Sequence, residues 1–597
     1  MLLNSRSLLA VFLALLVITS ARAEVLLELD ITGVEGAVLD NVRAHLSIAR
    51  HDSRAGLLPF PLPSVGEDSE AKPVTEAELR RLHRLARKEI RQALQPYGYY
   101  EPEIDTRLEY LDETWVASYR IDTGPATFIE DVSVQVTGDG ENEPAILAAL
   151  EGSKLNAGNQ LLHSEYDGTK QSLLRAALAA GYLDATYSRA ELRVRPEIRQ
   201  ARIDLQLDTG PRYYFGPVTI QQDILDREFV RRYIHFREGE PFDRERLLKL
   251  QVALGDSGYF SQVEVQTQRD EALDQHIPVV IKTTPARPRQ YAWGLGFGTD
   301  TGPRVSMGVR FRRINELGHS ILADTRVSMI SHSVGLQYKV PVGNLVSDSL
   351  VYKAGADFED VGGDGNTNRY TLGANYNREW GPVQRRLYVN FKYEDYSVGD
   401  DNEITQNMIP GVTLSQLRAD DVLFPRKGYS WSVDLRGAAG VISDTRFLRA
   451  ETTGQFAYPL GSRGRLLART RLGATGVREF RKLPASERFF AGGDQSVRGY
   501  GYQKLGPRDR SGDVVGGRYL ASGSLELDYL FVGNFGGAVF VDAGNADDDF
   551  LPSLEVGAGA GLRWRSPVGM LRIDVAHPFD TNSNDDYRIH VSIGPEL

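Results

Sequence analysis

The sequence predicts a multidomain chain, three α+β domains followed by a 16-stranded antiparallel transmembrane β-barrel, and three observations predict it. One set of landmarks recurs three times before residue 288. At Arg289 the helical period stops, and short alternating segments bounded by Gly, Asn and Asp take over. Sixteen such segments follow, an even number that lets an antiparallel meander close on itself.

At 597 residues the chain is too long for one hydrophobic core. Arg6, the eleven apolar residues from Leu8 to Ile18 and the small-x-small triplet Ala21-Arg22-Ala23 read as a secretory signal over residues 1–23, with the mature chain starting at Glu24. That run is too short for a spanning helix, which needs about 20 apolar residues. No later stretch comes near that length, so the remaining way across a bilayer is a closed barrel that satisfies its own backbone. The absence of cysteine excludes disulfides, thiolate metal sites, a cysteine nucleophile and a lipid-modified cysteine. The net charge of −11 is spread along the chain and leaves no basic footprint for nucleic acid.

The repeats come first in the chain. Gly98-Tyr99, Gly181-Tyr182 and Gly258-Tyr259 each close an amphipathic helix and open a strand, and Asp122 to Pro125, Asp208 to Pro211 and Thr283 to Pro285 each end the strand that follows. In the first copy Thr75 and Glu78 form a capping box, and Leu79, Leu82, Ala86, Ile90 and Ala93 share one face. The second copy starts its helix after Ser164 or Glu165 and aligns Leu174, Ala177, Leu178 and Gly181. The third places Asp243 before Leu247, Leu250 and Leu254. Each copy therefore has a β-α-α-β-β order, with boundaries at 24–123, 124–209 and 210–286, and the barrel occupies 287–597. Pro59, Pro61, Pro63 and Pro73 mark an exposed excursion within the first copy, because prolines so closely spaced cannot continue a helix.

The barrel strands are expected to begin near residues 290, 303, 319, 332, 349, 369, 386, 408, 428, 447, 465, 518, 535, 555, 569 and 586. Leu387, Val389, Phe391 and Tyr393 alternate with Tyr388, Asn390, Lys392 and Glu394, giving one face for lipid and one for water. Leu571, Ile573 and Val575 alternate in the same way with Arg572, Asp574 and Ala576. Near the end, Tyr587, Ile589, Val591 and Ile593 alternate with Arg588, His590 and Ser592. Gly294, Gly296 and Gly298 lack packing side chains and weaken the first strand. That weakness places a seam between it and the last strand, with Ile589, Val591 and Ile593 on the far side.

Between the strands ending near Gly476 and starting near Arg518 lies a loop of about 40 residues, far beyond an ordinary hairpin connection. It carries Val497-Arg498-Gly499-Tyr500. Alternation turns Glu526 and Asp542 inward, each lying between apolar outward neighbours. A guanidinium fork brought into the lumen would be accepted by both carboxylates, so Arg498 is expected to be pinned by Glu526 and Asp542.

Val497 to Tyr500 resembles the VRGF/Y motif of the lumen loop in the BamA/TamA outer-membrane assembly superfamily. Phe540 to Gly544 and Gly559 to Arg563 with Pro567 resemble that family's following strands, and the three repeats are similar to its periplasmic POTRA domains. Three repeats, and the ending Ile593-Gly594-Pro595-Glu596-Leu597 in place of a terminal aromatic residue, are most like the TamA branch of the family. The resemblance implies a place in the cell outer membrane with the repeats in the periplasm, and a lateral seam at which β-rich clients such as autotransporters are inserted or translocated. It also implies a TamB-like partner that is anchored in the inner membrane and spans the periplasm. Lipid transport to the outer membrane with the same partner and a passive solute channel are the alternatives. Gly-x-Ser-x-Gly, His-Glu-x-x-His and phosphate-loop motifs are absent, and the ten histidines lack ligand spacing, so neither catalysis, a metal nor a cofactor is expected.

Overall fold

Each of the three repeats folds as a β-α-α-β-β unit with a three-stranded sheet. The structure, a computed structural model, describes residues 26–52, 74–361, 365–421, 423–567, 569–579 and 587–594. The expected signal, the proline-rich excursion from Pro59 to Pro73 and residues 595–597 lie outside the described residues. The chain forms two compact units. The first runs to Pro217 and takes in Arg237–Glu245 and Thr267–Val279; the second holds Val218–Phe236, Arg246–Gln266 and everything from Val280.

The first repeat comprises β1 (Leu26–Thr32), α1 (Gly36–His45), α2 (Glu76–Leu94), β2 (Glu103–Leu111) and β3 (Thr114–Asp122), with sheet order β1-β3-β2 and β1 parallel to β3. Thr75 caps α2 by accepting from the Glu78 N–H, and Leu79, Leu82, Ala86, Ile90 and Ala93 are buried against Trp115, Ala117 and Tyr119. The Glu78 side chain turns to Arg81.

The second repeat comprises β4 (Phe128–Thr137), α3 (Pro144–Glu151), α4 (His163–Ala179), β5 (Thr186–Arg195) and β6 (Gln200–Asp208), with the same sheet order. Here the expected helix phase is corrected. Tyr166, Thr169, Leu173 and Ala177 face the core, whereas Leu178 is exposed, and Leu162 precedes the helix without a side-chain cap. The apolar stretch Leu173 to Ala180 is rich enough to support two phases, and Tyr166 and Thr169 in the first turns decide between them.

The third repeat comprises β7 (Tyr214–Gln221), α5 (Arg227–Arg231), α6 (Arg244–Asp256), β8 (Phe260–Thr267) and β9 (His276–Pro285), again with its last strand central. Asp243 accepts from the Glu245 N–H at the start of α6, and Leu247, Leu250 and Leu254 are buried.

The Gly-Tyr landmarks turn out to be joints between repeats as well as helix stops. Gly98 and Gly181 have φ of +82° and +94°, a region open to glycine. Their carbonyls accept from Thr127 N–H (2.9 Å) and Tyr213 N–H (2.8 Å), and the carbonyls of Thr127 and Tyr213 in turn accept from Leu161 and Phe242. A Cβ on Gly98 would press on the Leu161 carbonyl, so the same atom that frees the turn allows the close approach.

The barrel closes from β10 (Arg289–Gly298) through β11 (Gly302–Phe311), β12 (Ser320–Val327), β13 (Ser331–Pro341), β14 (Ser349–Val361), β15 (Gly365–Trp380), β16 (Val383–Val398), β17 (Asp401–Ala419), β18 (Gly428–Ala438), β19 (Phe447–Leu460), β20 (Gly464–Val477), β21 (Tyr519–Val532), β22 (Phe535–Asp547), β23 (Glu555–Ser566) and β24 (Gly569–Pro578) to β25 (Arg588–Gly594). It has the 16 strands that alternation predicts. Three starts move: β15, β16 and β17 begin at 365, 383 and 401 rather than near 369, 386 and 408. Their outer turns are polar on both faces, as at Asn366, Asn368, Asp401, Asn402 and Glu403, so hydropathy is silent while the backbone ladder continues. Leu387 and Val389 face outward and Tyr388, Asn390 and Glu394 are buried within, as the alternation requires.

Candidate functional site in the barrel lumen

The loop joining β20 to β21 is fixed to the lumen wall at two levels. At the first, Glu487 is fully buried and accepts from Lys392 (2.6 Å), Arg436 (2.8 Å) and Arg449 (3.2 Å), each from a different strand. Burial works against ionising Glu487, but the three cations overcome it and hold the carboxyl below the ordinary carboxylate range. Beside it, Ser486 donates its hydroxyl to Glu394 (2.6 Å), and Arg488 reaches Asp401 (2.9 Å). Nothing in the sequence marks Glu487 among the loop's polar residues; the inward position of Lys392 and Glu394 was legible, but not what they would meet.

At the second level lies the Val497-Arg498-Gly499-Tyr500 tip. Gly492, Gly493 and Gly499 take φ near +100°, which folds the tip tightly. The Arg498 side chain is 2% exposed. It donates from Nε (2.7 Å) and Nη2 (3.0 Å) to the two oxygens of Asp542, and from Nη1 to Glu526 (2.7 Å). The structure therefore brings together the three residues that alternation and motif had paired. It adds a third carboxylate, Asp574, 3.0 Å from Nη1, and the Phe540 ring, whose centroid lies 3.4 Å from the guanidinium carbon. Arg563 closes the cluster from the other side, donating to Glu526 (2.7 Å) and Asp574 (2.5 Å).

Two glycines make room for this arrangement. A Cβ on Gly557 would collide with the Arg498 carbonyl, and one on Gly561 with the Asp574 carboxylate. The small residues of β23 are thus the floor on which the tip and its ion pairs rest. Val497 is fully buried, and the Tyr500 hydroxyl donates to the Val556 carbonyl (3.2 Å).

The expected seam residues divide. Among the described residues, β10 meets β25 at one registered pair, Gly298 and Ser592, supplemented by Thr299 N–H to the Val591 carbonyl (3.1 Å). By contrast β24 and β25 register from Met570 and Gly594 to Ala576 and Arg588, a ladder that engages Ile589, Val591 and Ile593. Gly294 and Gly296 pair with Ser306 and Arg304 of β11, on the side away from β25. The loop tip touches both edges of this join. Asp494 N–H donates to Asp300, in the turn after β10 (2.5 Å), and Gly499 N–H donates to His590 Nε2 on β25 (3.0 Å). Burial and the neighbouring Asp300 push the Asp494 carboxyl up to about 6.

Comparison with known proteins agrees with this geometry. Residues 317–596 match the Omp85 superfamily domain, residues 28–123 match the POTRA domain described as TamA domain 1, and residues 213–285 match a POTRA model described as surface antigen variable number repeat. The chain is 25% identical over 522 residues to the outer membrane protein assembly factor BamA of Nitratidesulfovibrio vulgaris, covering 81% of this chain and 64% of that protein. It is 24% identical over 472 residues to BamA of Neisseria meningitidis serogroup B, covering 67% and 59%. The chain thus spans somewhat less than two thirds of these relatives' length. The crystal structure of BamA from Haemophilus ducreyi lacking POTRA domains 1–3 shares the fold, with a TM-score of 0.64 at 18% identity over 78% of this chain and 99% of that one. The barrel half of the chain is thus an Omp85 superfamily domain, and the protein is an outer-membrane β-barrel that carries POTRA domains in the periplasm.

Proposed function

We propose that this chain is the outer-membrane subunit of a TamA-type translocation and assembly module, and that β-rich clients, autotransporters among them, are inserted or translocated through the join between β10 and β25. The observation that carries the reading is the contrast in pairing at that join. Every other neighbouring pair in the barrel registers over at least seven positions, whereas β10 and β25 share one registered pair among the described residues. A strand edge left open presents unpaired N–H and C=O groups, which an incoming strand completes by β-augmentation. Client folding supplies the driving energy. The match of the first repeat to a TamA-type POTRA domain supports a TamB-like periplasm-spanning partner that delivers to the repeats or the barrel. Within this scheme Arg498, Glu526, Asp542 and Asp574 keep the loop tip docked against both edges of the join.

The cysteine-free chain makes the test clean. Gly298 and Ser592 are registered partners, and directly opposed strand residues lie within disulfide reach. In G298C/S592C, oxidation is expected to stop surface display of an autotransporter and reduction to restore it. Undiminished display with the bridge fully formed would show that clients do not pass between these strands.

A further inference from the structure

Two joined cavities open on the inner wall of the barrel at the end where its strands meet the last POTRA domain. The larger, about 400 Å³, is lined by Arg310, Arg312 and Lys339 with a single carboxylate, Asp256. The smaller, about 300 Å³, shares Lys339 and Val346 with the first and adds Arg378, Arg385 and Arg386 against Glu379. Elsewhere in the lumen the cations Arg436, Arg449, Arg498 and Arg563 each sit on a carboxylate. Arg310, Lys339 and Arg386 differ: none has a carboxylate within ion-pair distance among the described residues. Arg310 and Lys339, from β11 and β13, are close enough to repel each other. Holding like charges together beside low-dielectric walls is unfavourable unless an anion joins them.

The lining also indicates which anion fits. Tyr233 and Ser320 border the larger cavity beside the two cations, and their hydroxyls add donors to the charged ones. An acidic peptide would bring its own backbone groups, and the strands here offer them nothing, since β11 to β16 are paired on both edges. A phosphate brings only acceptors. Leu322, Pro341 and Leu345 on the same wall give an apolar margin beside the charged floor. We propose that the larger cavity binds a phosphate group through Arg310 and Lys339, whether free or carried on a phospholipid headgroup, and that the second cavity extends the attracting surface.

Native mass spectrometry of the full chain in detergent tests this with four probes: phosphatidylglycerol, diacylglycerol of the same acyl chains, inorganic phosphate and a short oligoglutamate peptide. Phosphatidylglycerol is expected to be retained over diacylglycerol. Its affinity should fall about tenfold for each charge removed in R310Q and K339Q, the loss expected when one charge-assisted bond goes. R310K/K339R should retain binding, and heat-modifiable gel mobility confirms that each barrel is folded. Inorganic phosphate that binds as tightly as the lipid identifies a free anion as the ligand; phosphate that binds only weakly identifies the headgroup. Equal retention of diacylglycerol, indifference to R310Q/K339Q in folded protein, or displacement of the lipid by oligoglutamate would each overturn the assignment. Client insertion is not read in this experiment, so its outcome is independent of the seam.

Discussion

The wall that grips the loop and the join between the first and last strands lie side by side in the barrel and are built in opposite ways. From β21 to β24, strands paired over ten or more positions place Glu526, Asp542 and Asp574 around one guanidinium, and a second arginine, Arg563, shares two of those carboxylates. At the join, one registered pair and the contacts of Thr299 with Val591 hold the two strands among the described residues. A net hydrogen bond is worth about 1 kcal/mol, while breaking a buried ion pair from one side costs several. The difference confines any opening to one line of the barrel, and the loop tip, touching Asp300 on one edge and His590 on the other, makes that line sensitive to whether the loop is docked.

The sharpest way to break this contrast is to remove the cation. Arg498→Ala leaves three carboxylates buried together, and the docked loop should lose about 3–5 kcal/mol, the cost of stripping one partner from a sheltered pair. Limited proteolysis of intact cells should then cut within 478–518, and autotransporter display should fall. Arg498→Lys keeps the charge but not the fork and should be intermediate. A loop as protease-resistant in R498A as in the wild type would mean that the first anchor, around Glu487, holds it unaided.

A smaller effect is expected from the floor. Gly561→Ala forces a methyl group into the Asp574 carboxylate, and Gly557→Ala one into the Arg498 carbonyl. Overpacking of this kind costs about 1–3 kcal/mol. Either variant should lower the temperature at which the barrel loses its heat-modifiable mobility, without the loop release expected of R498A at ambient temperature. Gly454→Ala, on β19, meets only the Thr470 methyl at 3.1 Å and serves as the mild control.

Part of this arrangement was legible in the sequence, and the physics says which part. A lipid face and a lumen face impose period 2 on every strand, so strand number and the inward direction of Glu526 and Asp542 follow from local residues alone. The loop announced itself by length and by its motif. Asp574 and Glu487 did not, because which inward carboxylate meets which inserted side chain depends on how far each strand is staggered against the next. Stagger is set by the whole barrel and leaves no trace in a window of ten residues. The join shows the same limit. Gly294, Gly296 and Gly298 mark a weak first strand, but only the register shows that β25 meets it at Gly298 and no further among the described residues. The phase of α4 escaped for a different reason, since its alanine-rich last turns fit two faces and only Tyr166 and Thr169 discriminate.

The finest test concerns the contact between the loop and β10. Asp494 is buried beside Asp300, and although Arg304 and Arg469 act against the shift its carboxyl is raised to about 6 against an ordinary value near 3.8. A carboxyl raised in the folded state binds its proton there before the unlatched loop does. The contact is therefore strongest below the ordinary value and weakens as pH climbs through about 6. The protection factors of the Thr299 and Val591 amides, their exchange corrected for the intrinsic base-catalysed rate, should be higher at pH 5 than at pH 7.5 by a few-fold at most for one partly buried group. Asp494→Asn removes the titrating charge and should make the protection factors of both amides high and independent of pH over that window. Protection factors that keep their pH dependence in D494N would place the sensitive group elsewhere, with His590, which accepts from Gly499 N–H on the opposite edge, the next to replace.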